Sequence, residues 1–362
     1  MIAYENLQQV NKEFMDEYTH VFQEVLRGGW YILGKQVQQF EQSFANFCGV
    51  EHCIGVASGL DALVLSLRYF GLKPGDEIIV PANTYIASIL AIVQVGLKPV
   101  LVEPDMNTYN IDPKRIEECI TKKTRAILVV HLYGKMSDMD PILLLADHYH
   151  LRIIEDCAQA HGAKYNGQKA GAFGDFGAFS FYPTKNLGAL GDAGAITCKA
   201  DILNNSIRTL RNYGSSAKYV FDEVGYNSRL DELQAAFLSV KLKYLDKITA
   251  HKQRLATVYL RELKSDFILP VVQPRQEDVY HIFAIRHPER DRLRAHLLAN
   301  EIGTEIHYPI PPHQQKAMKG ILSDGGYPIS EEIHRTIISL PISYGHTEED
   351  INRVVEVMNK FL

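Results

Sequence analysis

Hydrophobic positions along the chain change their period near residue 50. Before it, Phe14, Tyr18, Val21 and Val25 recur at steps of four, three and four, and Val37, Phe40, Phe44 and Phe47 repeat the pattern. Such steps place the side chains on one stripe of a helix, so two amphipathic helices are predicted, ending at Gly28-Gly29 and at Gly49. After residue 50 come short unbroken apolar runs: CIGVA (53–57), EIIVP (77–81), PVLVE (99–103), AILVV (126–130), RIIED (152–156), AFSF (178–181) and AITC (195–198). Helical patterns alternate with them, which predicts a mostly parallel sheet of seven strands covered on both faces, an α/β fold. From Arg229, the positions Leu230, Leu233, Phe237, Val240, Tyr244, Ile248 and Leu255 predict one long helix leading out of that sheet. Beyond about residue 260 the pattern mixes strands at FILPVV and HIFAIR with helices near 289–301 and 347–361, around a proline-rich YPIPPH (308–313). The expected division is a large α/β unit with the N-terminal helices over 1–250, and a smaller α+β unit over 251–362.

Ligands of open α/β sheets bind beyond the carboxyl ends of the strands, so the residues that follow each run are the first candidates. Ser58-Gly59 follow the first, Asn83-Thr84-Tyr85 the second, and His131-Leu132-Tyr133-Gly134 the fourth. Glu155, Asp156 and Gln159 close the fifth, and Tyr182 and Lys185 follow the sixth. Taken singly, each has an ordinary role. Ser58 suffices as the N-cap of LDALVLSLRYFG with Asp61 in the first turn, Tyr85 as a packing aromatic, Asp156 as a turn residue, His131 as a hydrogen-bonded histidine near the core and Lys185 as a solvated lysine. Together they supply a helix N-terminus for a phosphate, a flat aromatic, a carboxylate for a pyridinium nitrogen and an amine able to form a Schiff base. Those are the parts that hold pyridoxal phosphate.

Composition narrows the partners. With 362 residues, 46% of them hydrophobic, the chain can bury a large core, and a net charge of −5 gives no basic face for nucleic acid or an anionic membrane. The longest apolar stretch, IASILAIVQVGLKPVLV, is broken by Gln94 and Lys98, and the start MIAYENLQQVNKEF has neither the basic residues nor the apolar run of a signal peptide. With an odd count of five cysteines, a reduced compartment and hence a cytoplasmic protein is expected. Cys48, His52 and Cys53 have no second pair at ligand spacing, so both cysteines read as small buried hydrophobes and no metal is expected. G-x-G-x-x-G and G-x-x-x-x-G-K-[ST] are both missing, which removes the nicotinamide-oxidoreductase reading. The glycines of GAFGDFGAF have another spacing and are expected to let backbone approach backbone.

Six blocks in register, ASGLDAL, PANTYIAS, HLYGKMSDM, IIEDCAQAHGA, FSFYPTKN and GYNSRLDELQAA, resemble the nucleotide-sugar aminotransferases of the DegT/DnrJ/EryC1/StrS family. The likeness starts near residue 28 and continues through HYPIPPH and SLPIS. It implies the fold type I of pyridoxal-phosphate-dependent transferases, which is aspartate-aminotransferase-like, and a homodimer with shared active sites. It implies further that Lys185 carries the cofactor and shuttles protons, that Asp156 pairs with the pyridine nitrogen, Gln159 with the ring hydroxyl, and that Tyr85 stacks on the ring. Ser58, Gly59 and Ser180 would hold the phosphate, with Asn227 reaching it from the neighbouring subunit. Relatives that aminate C4 of a 4-keto sugar look like FSFHxxKxxxxxEGG, whereas here Tyr182 replaces the histidine and GDAG closes the loop. FYPxKNLGALGDAG and NYGSSAKY are similar instead to enzymes that aminate C3 of dTDP-3-keto-6-deoxyhexoses, although those often have Gly where Thr184 stands. The implied reaction takes the amine of L-glutamate, through the pyridoxamine phosphate form, to a dTDP-linked 3-keto-6-deoxyhexose. Tyr31, Tyr182, Lys218, His307 and Tyr308 are the substrate candidates. A C4 aminotransferase and a non-catalytic sugar-nucleotide-binding or regulatory protein on the same fold are the alternatives. Lys185 argues against relatives that dehydrate sugars, which have histidine there.

Overall fold

The computed structural model describes residues 1–323 and 325–361. All seven apolar runs form strands: β1 (His52–Val56), β2 (Glu77–Pro81), β3 (Lys98–Val102), β4 (Thr124–Val130), β5 (Arg152–Asp156), β6 (Phe176–Ser180) and β7 (Gly194–Cys198). They build one sheet in the order β1-β7-β6-β5-β4-β2-β3. Pairs β2/β3, β2/β4, β4/β5 and β5/β6 are parallel, whereas β7 runs antiparallel to both β6 and β1. Six strands therefore point one way and only β7 is reversed, so the carboxyl ends of the six meet the amino end of β7 at a single rim.

Both faces of the sheet are buried, as the unbroken runs require. Ile127, Val129 and Phe179 belong to one core, while Leu128, Ile154 and Ala178 belong to the other. The predicted N-terminal helices are α1 (Met15–Gly28) and α2 (Lys35–Cys48), and each ends on a left-handed glycine, Gly29 and Gly49. Helix α2 brings Phe40 and Phe44 against β6: Phe44 meets Phe179 edge to face at 4.9 Å, and Phe40 meets Phe181 at 5.4 Å. Such pairs add about 0.5–1.5 kcal/mol each beyond the area they bury. Because side chains alternate along a strand, anchoring Phe179 and Phe181 on one face aims Ser180 at the other. Cys48 and Cys53 are buried in the same core.

Helix α3 (Gly59–Tyr69) follows β1 and α4 (Ile86–Gln94) follows β2. The single long helix expected from Arg229 is two, α5 (Glu232–Leu242) and α6 (Leu245–Glu262). Tyr244 breaks it by leaving helical geometry (φ −107°, ψ 1°), with its ring 5.2 Å from Phe14 and its hydroxyl bonded to Glu17 at 2.6 Å. FILPVV is not a strand. It contributes one bridge, Ile268 to Arg286, and Pro270 has no amide to extend the ladder. HIFAIR does yield β8 (Phe283–Arg286), antiparallel to β9 (Ile337–Leu340), with α7 (Arg290–Ala299) and α8 (Glu348–Asn359) beside them. A third core, made from residues between Leu255 and Met358, lies under this part. Among the described residues no helix is long and apolar enough to cross a membrane.

Candidate active site

A cavity of about 510 Å³ opens at the rim where the six strands end. Ser58, Gly59, Tyr85, Asp156, Gln159, Ser180 and Lys185 line it, as do Tyr182, His307 and Tyr308. Sequence reasoning thus brought ten candidates to one place. Asn227, Tyr31 and Lys218 are not among the lining residues: all three are exposed, and Lys218 sits in a short hairpin with its ammonium 5.2 Å from the Tyr219 ring.

One wall is shaped to take a phosphate. Ser58 caps α3, its hydroxyl accepting from the Asp61 amide at 3.1 Å, which leaves the first amides of the helix without partners inside it. Gly59 is packed so closely on β6 that a Cβ there would lie 2.5 Å from the Ser180 Cβ. On the other side, a Cβ on Gly194 would lie 2.3 Å from the Ser58 carbonyl oxygen. The space next to the amides is therefore kept free by glycine at both contacts, with the Ser180 side chain on its edge.

The opposite wall holds the charges. Asp156, at the end of β5, is buried; its carboxylate accepts from the Ser88 hydroxyl at 2.8 Å and from the Ala158 amide at 3.1 Å. Burial pushes its pKa up, opposed by those two bonds and by the Lys185 charge. A buried carboxylate in that state is completed by a cation brought to it. Ser88 in turn accepts from Thr84 at 2.8 Å, so the PANTYIAS segment sets the acid's orientation. Gln159 accepts from the Tyr133 amide at 2.6 Å and donates to the Tyr308 hydroxyl at 3.0 Å. Tyr85 lies 53% exposed at the mouth, its ring 5.3 Å from Tyr308. Burial lowers the Lys185 amine to about 8, while Asp156 pulls the other way. Its loop is held by the Lys185 amide on the Tyr182 carbonyl at 2.8 Å and by Ala189 on Phe181 at 2.8 Å.

Below this wall, His131 and Glu155 form a structural pair. The histidine, fully buried, accepts from the Ser137 amide and so donates from Nε2 to Glu155 at 3.0 Å, while Glu155 also takes the amides of Gly171, Phe173 and Gly174. Those glycines do bring backbone together, since a Cβ on Gly177 would lie 2.4 Å from the Gly171 Cα.

Sequence reasoning missed Ser88, His281 and the role of Tyr133. Ser88 was detectable, because it stands one helical turn after Thr84 and faces the same rim. His281 lines the cavity from just before β8, at the head of the HIFAIR run to which the rim rule was not applied, and burial, with the charges of Lys185 and Lys252, pushes its imidazole pKa well down.

A phosphate cradle, a carboxylate waiting for a cation and a single depressed amine fit one bound group, and make this protein an aminotransferase working through pyridoxal phosphate. The chain belongs to the DegT/DnrJ/EryC1/StrS aminotransferase family, whose match runs over residues 12–359. It is 53% identical to the dTDP-3-amino-3,6-dideoxy-alpha-D-galactopyranose transaminase of Aneurinibacillus thermoaerophilus, with 100% of this chain and 99% of that one aligned. The crystal structure of DesV from S. venezuelae, in complex with a ketimine intermediate, superposes with a TM-score of 0.97 at 43% identity, covering 99% of this chain and 98% of that one. NtdA from Bacillus subtilis, solved with bound cofactor PMP, superposes with a TM-score of 0.94 at 30% identity over 99% of this chain and 85% of that one.

Proposed function

We propose that this aminotransferase transfers the amine of L-glutamate to C3 of a dTDP-linked 3-keto-6-deoxyhexose, giving a dTDP-3-amino-3,6-dideoxyhexose. The observation that carries the reading is the closing half of the lysine loop: Tyr182 lines the cavity beside Lys185, and Asp192, in the GDAG that ends the loop, lines it too. The name borne by the relative at 53% identity supports the same position and makes the galacto epimer the first to test.

When bound, pyridoxal phosphate supplies a carbonyl for the amine and an electron-withdrawing ring. The residues of this chain would do the rest. The first amides of α3 and Ser180 hold the phosphate, and Asp156 keeps a proton on the ring nitrogen. Gln159 has a second amide hydrogen for the ring hydroxyl, and Tyr85 covers one face. Lys185 would hold the cofactor's carbonyl end and, as a free amine, would move the proton between the carbon that loses it and the carbon that gains it. Tyr182, His307 and Tyr308 bound the space left for the sugar.

The site would be completed by a second copy. Asn227, Lys218 and Tyr31 lie outside the cavity of their own chain, and the surface around them carries large exposed apolar side chains, Trp30 at 67%, Tyr219 at 82% and Val224 at 83%. These segments adjoin: Ile32 bridges Asp231, Asn227 bridges Asn212, and the Arg229 guanidinium lies 5.3 Å from the Tyr213 ring. An exposed apolar stretch of this kind is suited to a homodimer with shared sites. The division into a large unit over 1–250 and a small one over 251–362, and residence in the cytoplasm, belong to the same reading; the separate core under residues 255–358 supports the former.

The decisive experiment incubates the protein with L-glutamate and a panel of 3-keto and 4-keto dTDP sugars and reads the aminated carbon by NMR. Amination at C3 alone is expected. Amination at C4 alone would overturn the regiochemistry while leaving the family chemistry intact. The amine makes a second prediction. Below about pH 8 Lys185 is an ammonium and above it a free amine, so capture of pyridoxal phosphate by the cofactor-free protein should quicken about tenfold per pH unit and level off near pH 8. Stopped-flow absorbance measures this, and a rate still climbing past about pH 10, as for an exposed lysine, would contradict it.

A further inference from the structure

Tyr133 stands in HLYGKMSDM with no assigned role, yet it holds both sides of the cavity. It is buried and left-handed (φ 61°, ψ 4°), a backbone that non-glycine residues adopt only when their surroundings impose it. The imposing contacts are visible. Its amide donates to Gln159 at 2.6 Å, its carbonyl accepts from Ile282 at 3.2 Å, and the next carbonyl, of Gly134, accepts from Val279 at 3.0 Å. A Cβ on Gly134 would lie 2.8 Å from the His281 nitrogen, so the turn is pressed against residues 279–282. By accepting from Tyr133, the Gln159 oxygen is turned inward, and its amino group is left facing the Tyr308 hydroxyl.

The hydroxyl of Tyr133 reaches the other way and donates to the carbonyl of His307. The segment His307–Tyr308 is held at three further points: Ser339 bonds the His307 Nδ1 at 2.8 Å, His334 donates to the Tyr308 carbonyl at 2.7 Å, and Gln159 donates to the Tyr308 hydroxyl at 3.0 Å. From the sheet rim that carries Asp156 and Lys185 come the Tyr133 bond to the His307 backbone and the Gln159 bond to the Tyr308 hydroxyl; Ser339 is in β9, and His334 in the helix that precedes it.

Building on the functional reading above, we propose that Tyr133 is a positioning residue for the keto sugar. Its hydroxyl sets the backbone of the His307–Tyr308 segment against which the sugar lies, while its amide sets Gln159, which meets the Tyr308 hydroxyl from the cofactor side. L-glutamate is small and reacts at the lysine side of the cavity, so it does not depend on that segment, whereas a sugar nucleotide has to pass along it.

Tyr133→Phe tests this, because it keeps the ring, the backbone and the Gln159 bond and deletes only the donor to His307. In the holoenzyme, the half reaction with L-glutamate, followed by bleaching of the visible band, should stay within about twofold of the parent, and the KM for the keto sugar should rise about tenfold with kcat little changed. A sugar KM within about twofold of the parent overturns the proposal, and so does an equal slowing of both half reactions, the mark of a merely structural role. If Tyr133→Phe yields no folded holoenzyme, Ser339→Ala loosens the same segment from its other side without touching Gln159. It should likewise raise the sugar KM and spare the glutamate step, and an unchanged KM there overturns the proposal. A parent protein that aminates none of the keto sugars counts against the functional reading itself, whereas an active parent with an indifferent Tyr133→Phe counts against this inference alone.

Discussion

Lys185→Ala is expected to fold, to bind pyridoxal phosphate without a covalent link and to transaminate about 10⁴-fold more slowly than the parent. On the proposed reading the amine serves twice, as the nucleophile that carries the cofactor and as the group that moves the proton between carbons. General acid–base work by one side chain is worth about 10²–10⁴ on its own, so a loss near 10⁴, about 5.5 kcal/mol in the barrier, is the expected scale. Folding survives because the loop does not hang on this side chain. It is held by backbone bonds at both ends and by Asn186, which donates to the Val279 carbonyl at 3.0 Å and accepts from the buried Lys252 at 2.8 Å. Stability gives a second, independent sign. Burial lowers the amine from 10.5 to about 8, so at neutral pH the folded cofactor-free protein holds an ammonium it disfavours, and removing it should raise Tm. That penalty is whole below about pH 8 and fades as the pH climbs toward the unfolded value of 10.5, so the gain in Tm should shrink over the same interval. Borohydride treatment of the parent should leave the pyridoxyl mass on the peptide containing Lys185, and none on the variant. A variant within about a hundredfold of the parent rate would remove Lys185 from the chemistry.

What the chain disclosed in advance follows the range over which its signals act. The seven strands were legible because a strand covered on both faces must be apolar throughout, and the period of the flanking helices differs from theirs. Direction was not. Nothing in AITC marks β7 as the reversed strand, since an antiparallel neighbour buried on both faces is as apolar as a parallel one. The break at Tyr244 was hidden for a similar reason: apolar spacing continues through it, and the cause is a contact with Phe14 and Glu17 more than two hundred residues away. The rim residues came from a topological rule applied strand by strand, which found Ser58, Tyr85, Asp156, Gln159 and Lys185 without their contacts, whereas Ser180, inside its run, came from resemblance. It could not find His281, which enters from beyond residue 260. Nor could it give Tyr133 a role, because that depends on a left-handed backbone and a partner at His307. Tyr31, Lys218 and Asn227 came from resemblance alone, and a single chain holds them away from its own cavity.

Asp156→Asn separates holding the cofactor from using it. The substitution is nearly isosteric, and the groups around it can adapt: the amide oxygen can take the place of one carboxylate oxygen at either Ser88 (2.8 Å) or Ala158 (3.1 Å). The end of the cavity proposed to take the phosphate, on α3 and Ser180, is untouched. Cofactor content should therefore stay near that of the parent. The lost feature is the negative charge. A carboxylate keeps a proton on a pyridine nitrogen, and charge-assisted bonds are worth about 1.5–3 kcal/mol; an uncharged amide leaves that nitrogen bare and the ring a poor acceptor of electrons. Both half reactions pass through the same ring, so both should slow together, by about 10²–10³-fold, or roughly 3–4 kcal/mol. This common slowing distinguishes Asp156 from Tyr133, whose hydroxyl should affect the sugar step alone. The local electrostatics should shift as well. Asp156 pulls the Lys185 amine upward against burial, so removing its charge should carry the levelling pH for cofactor capture below 8. Rapid-scan absorbance of each half reaction, with the capture profile of the cofactor-free variant, measures all three outcomes. Near-parental rates in Asp156→Asn would mean that the carboxylate only fills its place at the end of β5.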